Sequence, residues 1–179
     1  MKLVHLFARA YGWSSWGEAN ARRFAQTGGA AMQTKLNLFS YDPALVAACE
    51  AGGLAVLANA PLAMGMLTGK FDAGTRFSPD DVRGAGHTWL EYFEHGKAKP
   101  AFLGRLAAVR DVLQSGGRTV AQGALGWLWA KSGSVIPIPG FKNKRQAAEN
   151  AGALAYGPLG AAEMREIDRL LAGEQDAAM

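Results

Sequence analysis

The chain has 179 residues, 49% of them apolar and 19% charged, which supports one sizeable core and excludes a disordered segment. Its formal charge of +4 is modest, and the basic residues are scattered apart from Lys142, Lys144 and Arg145, so no nucleic-acid partner is expected. A single cysteine, Cys49, excludes an internal disulfide and a structural thiolate zinc site.

From the amino end, 8–13 is a short apolar run that reads as a strand and stops at the polar pair Ser14 and Ser15. Residues 17–26 have helical composition and are closed by Gly28 and Gly29. The stretch 31–39 alternates partially, as a strand does. Residues 43–50 read as a helix, with Pro43 in the first turn and Gly52 and Gly53 past its end. The continuous apolar run 54–58 suits a strand buried on both faces.

Residues 59–100 are different, rich in Gly, Asp, Pro and aromatics without a long period. A connection of this length inside a compact domain is usually functional or disordered. Within it, Ser78, Pro79 and Asp81 suggest the opening of one short helix. Phe102, Leu106, Val109 and Leu113 then recur at helical spacing, and 119–131 forms a second helix with Val120, Ala124, Leu125 and Leu128 on its apolar face. Residues 134–138 are another buried strand. A helix capped by Asn143 follows, with Gln146 three residues on, and Met164, Ile167 and Leu171 mark a last amphipathic helix. Strands that alternate with helices and carry near-continuous apolar runs predict an α/β fold with a parallel sheet, in a single domain over 1–179.

Common chemical motifs fail. The segment Gly12-Trp-Ser-Ser-Trp16 lacks the second glycine of a nucleophile elbow. The segment Gly65-Met-Leu-Thr-Gly-Lys70 is one residue short of a phosphate loop, and Phe71 stands where the metal-binding hydroxyl belongs. No Gly-x-Gly-x-x-Gly follows a strand. His5, His87 and His95 lack metal-ligand spacing, and Cys49 sits in an apolar helix as a buried thiol. No apolar run reaches the ~20 residues of a membrane span, and the start has no secretory flanks, so a cytoplasmic protein is expected.

What remains falls at strand ends: Tyr11-Gly-Trp-Ser-Ser15, then Gln33, then Asn59-Ala-Pro-Leu-Ala-Met-Gly-Met-Leu-Thr-Gly-Lys70, then Val135-Ile-Pro-Ile-Pro-Gly-Phe-Lys142 with Gln146-Ala-Ala-Glu-Asn150. In this order and spacing the set resembles strands five to eight of the aldo-keto reductases, from about residue 8 to about residue 171. That resemblance implies half of a (β/α) barrel, some four β/α units with a final helix, and NADP(H) as cofactor. It places Ser14 and Ser15 where a Ser-Asn pair holds the nicotinamide carboxamide, and Gln33 on the same amide. Asn59 stands where many members have an aromatic that stacks on the nicotinamide; Trp13 or Trp16 would be the nearby substitutes. The backbone from Ala60 through Pro61, Leu62 and Gly65 to Leu67 would wrap the pyrophosphate. Gly140 and Phe141 lead to Lys142 at the 2′-phosphate, and Gln146, Glu149 and Asn150 would hold the adenine end.

Barrel phosphates sit at the loops after the last strands and at a helix N-terminus. A helix opening at Asn143 beside Lys142, Lys144 and Arg145 suits an anion, which favours NADP over NAD. The family's tyrosine acid and its lysine, aspartate and histidine partners lie on the first four strands, ahead of the matched region. Tyr11, Tyr41, Tyr92 and Tyr156 occupy none of those positions, so no catalytic residue is expected here. Three readings stay open: an NADP(H)-binding half barrel incomplete on its own, a self-associating module without chemistry, and a reductase completed by another chain. Open sheet edges and an apolar inner face predict a homo-oligomer or a missing N-terminal half as partner.

Overall fold

The computed structural model describes residues 8–176, so His5 and the start of the chain lie outside it. In chain order the elements are β1 (Gly12–Ser14), α1 (Glu18–Ala25), β2 (Ala31–Lys35), α2 (Pro43–Ala51) and β3 (Ala55–Asn59). A tight hairpin follows, β4 (Phe93–Glu94) and β5 (Lys97–Ala98). Then come α3 (Pro100–Leu113), α4 (Val120–Lys131), β6 (Val135–Pro137), α5 (Lys144–Gly152) and α6 (Ala161–Asp176). The main sheet has four strands in the order β1-β2-β3-β6, all parallel, with helices on the crossovers.

Local chemistry sets most boundaries. Asp42 accepts the Leu45 N–H at 3.0 Å and Pro43 opens α2. Thr119 and Gln122 exchange hydrogen bonds with each other's backbone, a capping box that starts α4. The Asn143 side chain accepts from the Gln146 N–H at 3.0 Å and starts α5. The strand expected over 31–39 stops at Lys35 because Asn37 turns the chain: its side-chain carbonyl accepts from the N–H groups of Phe39 and Ser40. No helix opens at Ser78. The Asp81 N–H donates to the Ser78 carbonyl at 2.9 Å and the chain continues as turns, since Asp81 is held by Arg83 instead.

The sheet is covered on one face. In register across it lie Trp13, Met32, Val56 and Val135, and one step on Thr34 and Ala58; of these only Trp13 is exposed. Leu45 and Cys49 of α2, Leu106, Val109 and Leu113 of α3, and Leu125 and Leu128 of α4 complete this core. Burying each such leucine contributes roughly 1.5–3 kcal/mol. Helices α3 and α4 approach closely at Gly123, where a Cβ would collide with the Leu113 carbonyl. The other face carries Ser14, Gln33, Leu57 and Ile136 in register, with Lys35 beside Asn59. No described helix covers it: Ile136 is 49% exposed and Ile138 43%.

Candidate functional site

The strands end where the chemistry collects. Directly after β3, Ala60, Ala63 and Met64 take φ of 47°, 48° and 56°, followed by Gly65 at 95°. A run of left-handed residues that are not glycine is strained, and such strain concentrates at binding sites. The strand-end loop is held from behind by Asn37, fully buried, whose amide donates to the Ala60 carbonyl at 3.0 Å and to the Tyr92 hydroxyl at 2.8 Å. A Cβ at Gly65 would press on the Phe71 ring at 3.2 Å, and its φ of 95° would strain any other residue there.

The long segment after β3 is ordered by aromatics rather than by regular structure. Phe71, Phe77 and Phe93 pack edge to face, with centroids 5.1–5.8 Å apart. Arg83 lies over Phe77 at 4.2 Å and forms two hydrogen bonds to the Asp81 carboxylate, which hold that carboxyl far below its usual range. The end of the segment is tied to the sheet by the ion pair between Glu91 and Lys35.

Between this segment, the β3 end and the start of α5 lies a cavity of about 1000 Å³. Of the residues singled out from the sequence, Asn59, Ala60, Pro61, Leu62, Gly65, Gly140, Phe141, Lys142, Gln146, Glu149 and Asn150 all line it. Four do not. Leu67 is fully buried in the core, so only its backbone can serve the loop. Ser14 and Gln33 are neighbours on the open sheet face, with the Gln33 amide 3.5 Å from the Ser14 hydroxyl. Ser15 is buried, and its hydroxyl accepts from the Asn20 amide at 3.0 Å. Trp13 packs against Phe24 at 5.8 Å and Trp16 is 78% exposed; neither lines the cavity.

The cavity wall also holds Lys35, Arg83 and Trp89, which the sequence reading passed over, together with Lys70, the last residue of the strand-end motif, and Tyr92. Lys70 is pushed below its ordinary range, first by burial and then by the positive charges of Arg83, Lys142 and Arg145. Lys70, Arg83, Lys142 and Arg145 are thus brought from separate parts of the chain to one wall, with Glu149 among them. Helix α5 points its N-terminus at the same place. At this opening the Gln146 N–H donates to the Asn143 side chain at 3.0 Å and the Lys142 N–H to the Gln146 side chain at 2.8 Å. Tyr92 is 2% exposed and accepts a hydrogen bond from Asn37; burial pushes its hydroxyl up to about 12. The only sequence signal for Arg83 and Trp89 was their type, because their positions come from the folding of 59–100.

A strained loop and a cationic helix N-terminus thus stand together at the carboxyl edge of a parallel α/β sheet. The model of the Aldo/keto reductase family matches residues 8–172, and the chain belongs to that family. The chloroplastic pyridoxal reductase of Arabidopsis thaliana is 29% identical over 60% of this chain, which spans 26% of that protein. The aldo-keto reductase yakc [NADP(+)] of Schizosaccharomyces pombe is 29% identical over 67% of this chain and 34% of its own length. Among solved structures, the glycerol dehydrogenase AKR11B4 of Gluconobacter oxydans superposes with a TM-score of 0.78 at 24% identity, over 96% of this chain and 52% of that one. An aldo-keto reductase of Klebsiella pneumoniae in complex with NADPH superposes with a TM-score of 0.65 at 24% identity, over 95% and 51%. The chain thus spans about half the length of the solved relatives it matches and less of the curated ones.

Proposed function

We propose that this chain is the cofactor-holding half of a (β/α) barrel, a unit that binds NADP(H) for interconversion of carbonyl and alcohol. The observation that carries the reading is the convergence of Lys70, Lys142 and Arg145 on a cavity that also takes in the strained β3 loop and the opening of α5. The residues fit such a group. An anion of several charges meets three cations and free helix amides, and a cavity of about 1000 Å³ suits a dinucleotide. Lys142 and Arg145 would take the 2′-phosphate, the backbone of Ala60 to Leu67 the pyrophosphate, and Gln146, Glu149 and Asn150 the adenine end. Ser14 and Gln33, outside the cavity wall, would meet the carboxamide, with Ser15 kept in place by Asn20. The cofactor, when bound, supplies the hydride.

The half is catalytically incomplete by itself in this reading. Tyr92 is the tyrosine on the cavity wall, yet its buried hydroxyl accepts from Asn37 and is raised to about 12, which ill suits a proton donor near neutrality. Lys35 and Glu91 are tied to each other. Completion falls to a partner on the open sheet face, either a second copy or the N-terminal half of a barrel. The exposure of Ile136 and Ile138 supports this, since apolar surface left wet forfeits roughly 25 cal/mol per Å². Calorimetric titration of NADPH and NADH tests the cofactor reading: NADPH binds more tightly, and equal affinities would sink the assignment.

A further inference from the structure

We infer that Trp89 supplies the aromatic wall for the nicotinamide ring, a place left without one by Asn59 at the strand end; the inference rests on the NADP(H) reading above. Trp89 lines the same cavity as Asn59 and is 60% exposed, so its indole is open to a ligand there. It is not a loose side chain. His87 stacks on the indole, with centroids 5.2 Å apart and planes 19° from parallel. The next residue, Leu90, is buried, Glu91 pairs with Lys35 at the end of β2, and Tyr92 shares the Asn37 amide with the Ala60 carbonyl. The stretch that carries the indole is therefore fastened to the same asparagine as the loop that follows Asn59.

Position decides which end of the cofactor it serves. Neighbouring strands lie about 4.8 Å apart, and β2 and β6 flank β3 on opposite sides, so their ends are separated by about 10 Å. Phe141, 63% exposed, follows β6 and stands with Lys142 and Gln146 on the adenosine side. Trp89 is tethered to β2, on the side where Ser14 and Gln33 lie. An electron-rich indole is also the best aromatic partner for an oxidised, positively charged nicotinamide. Trp13, next in sequence to Ser14, points to the opposite, covered face of the sheet in register with Met32 and packs on Phe24.

The test compares two probes on the whole chain: NADPH, and adenosine 2′,5′-bisphosphate, which has no nicotinamide. Trp89→Ala weakens NADPH binding about ten-fold and leaves the bisphosphate unchanged, while Trp89→Phe restores most of the loss. Indole-sensitised emission from bound dihydronicotinamide falls in both Trp89 variants and persists in Trp13→Phe and Trp16→Phe. Unchanged NADPH affinity in Trp89→Ala overturns the inference, as does equal loss of both probes, which would mean that the segment had merely collapsed. A parent that binds the bisphosphate but not NADPH overturns this inference alone. A parent that binds neither overturns the NADP(H) reading and takes this one with it.

Discussion

The two faces of the main sheet are made by the same strands and have opposite fates. Met32, Thr34, Val56, Ala58 and Val135 point into a packed helical layer, whereas Ser14, Gln33 and Ile136, one residue out of step, stay outside it. The covered face stabilises the chain, and the open face with its carboxyl edge is where the proposed ligand and partner would bind. The difference teaches that stability and binding can be perturbed separately here, a residue apart.

The sharpest break of that comparison is on the covered side. Leu106→Ala removes a side chain with 1% exposure and should cost about 2–5 kcal/mol of unfolding free energy, read by chemical denaturation. Gln33→Ala, across the sheet, should change stability by no more than about 0.5 kcal/mol. Equal losses would mean that the open face is covered after all.

The second effect is on association. If the open face recruits a partner, light scattering at micromolar concentration shows more than a monomer, and Ile136→Lys with Ile138→Lys shifts the population strongly toward monomer. A parent that is already monomeric and binds no apolar dye would remove the proposal of a partner surface.

At the carboxyl edge, Lys142→Ala should narrow the preference for NADPH over NADH about ten-fold, equivalent to roughly 1.4 kcal/mol, with the unfolding midpoint unchanged. A variant that lost both cofactors equally would show that Lys142 contacts the shared phosphates instead.

The smallest effect concerns the far side of the helical layer. Glu163 accepts from Ser115, from the Gly160 N–H at 2.7 Å and from Arg118, joining α6 to the end of α3. Burial raises its carboxyl, but these hydrogen bonds and the Arg118 charge outweigh burial and hold it below its ordinary value. A carboxyl depressed on folding stabilises above its unfolded value, and that contribution disappears as pH falls through the folded one. Glu163→Gln should therefore lower stability by about 1 kcal/mol at neutral pH, with parent and variant converging in acid. A constant gap at every pH would assign the effect to packing.

How much of this was legible in the sequence depended on the range of the interaction. The cap at Asn143, Pro43 in the first turn of α2, the glycine stops and the alternation of strands with helices are local, since each depends on residues a few positions apart, and most elements formed close to where they were expected. The family motifs at the strand ends were legible for a related reason: the backbone near Gly65 and the cationic opening of α5 are written in consecutive residues, and these are the ones that meet in the cavity. Tertiary structure alone decided the rest. The Asn37 side chain, whose local turn onto Phe39 and Ser40 ended β2 early, also reaches Ala60 and, 55 residues along the chain, Tyr92. Ser78 opened no helix because Arg83 bound Asp81 and stacked on Phe77. Trp89 and Arg83 reached the cavity through the aromatic packing of 59–100, whose long-range contacts carry no periodic signal in the chain.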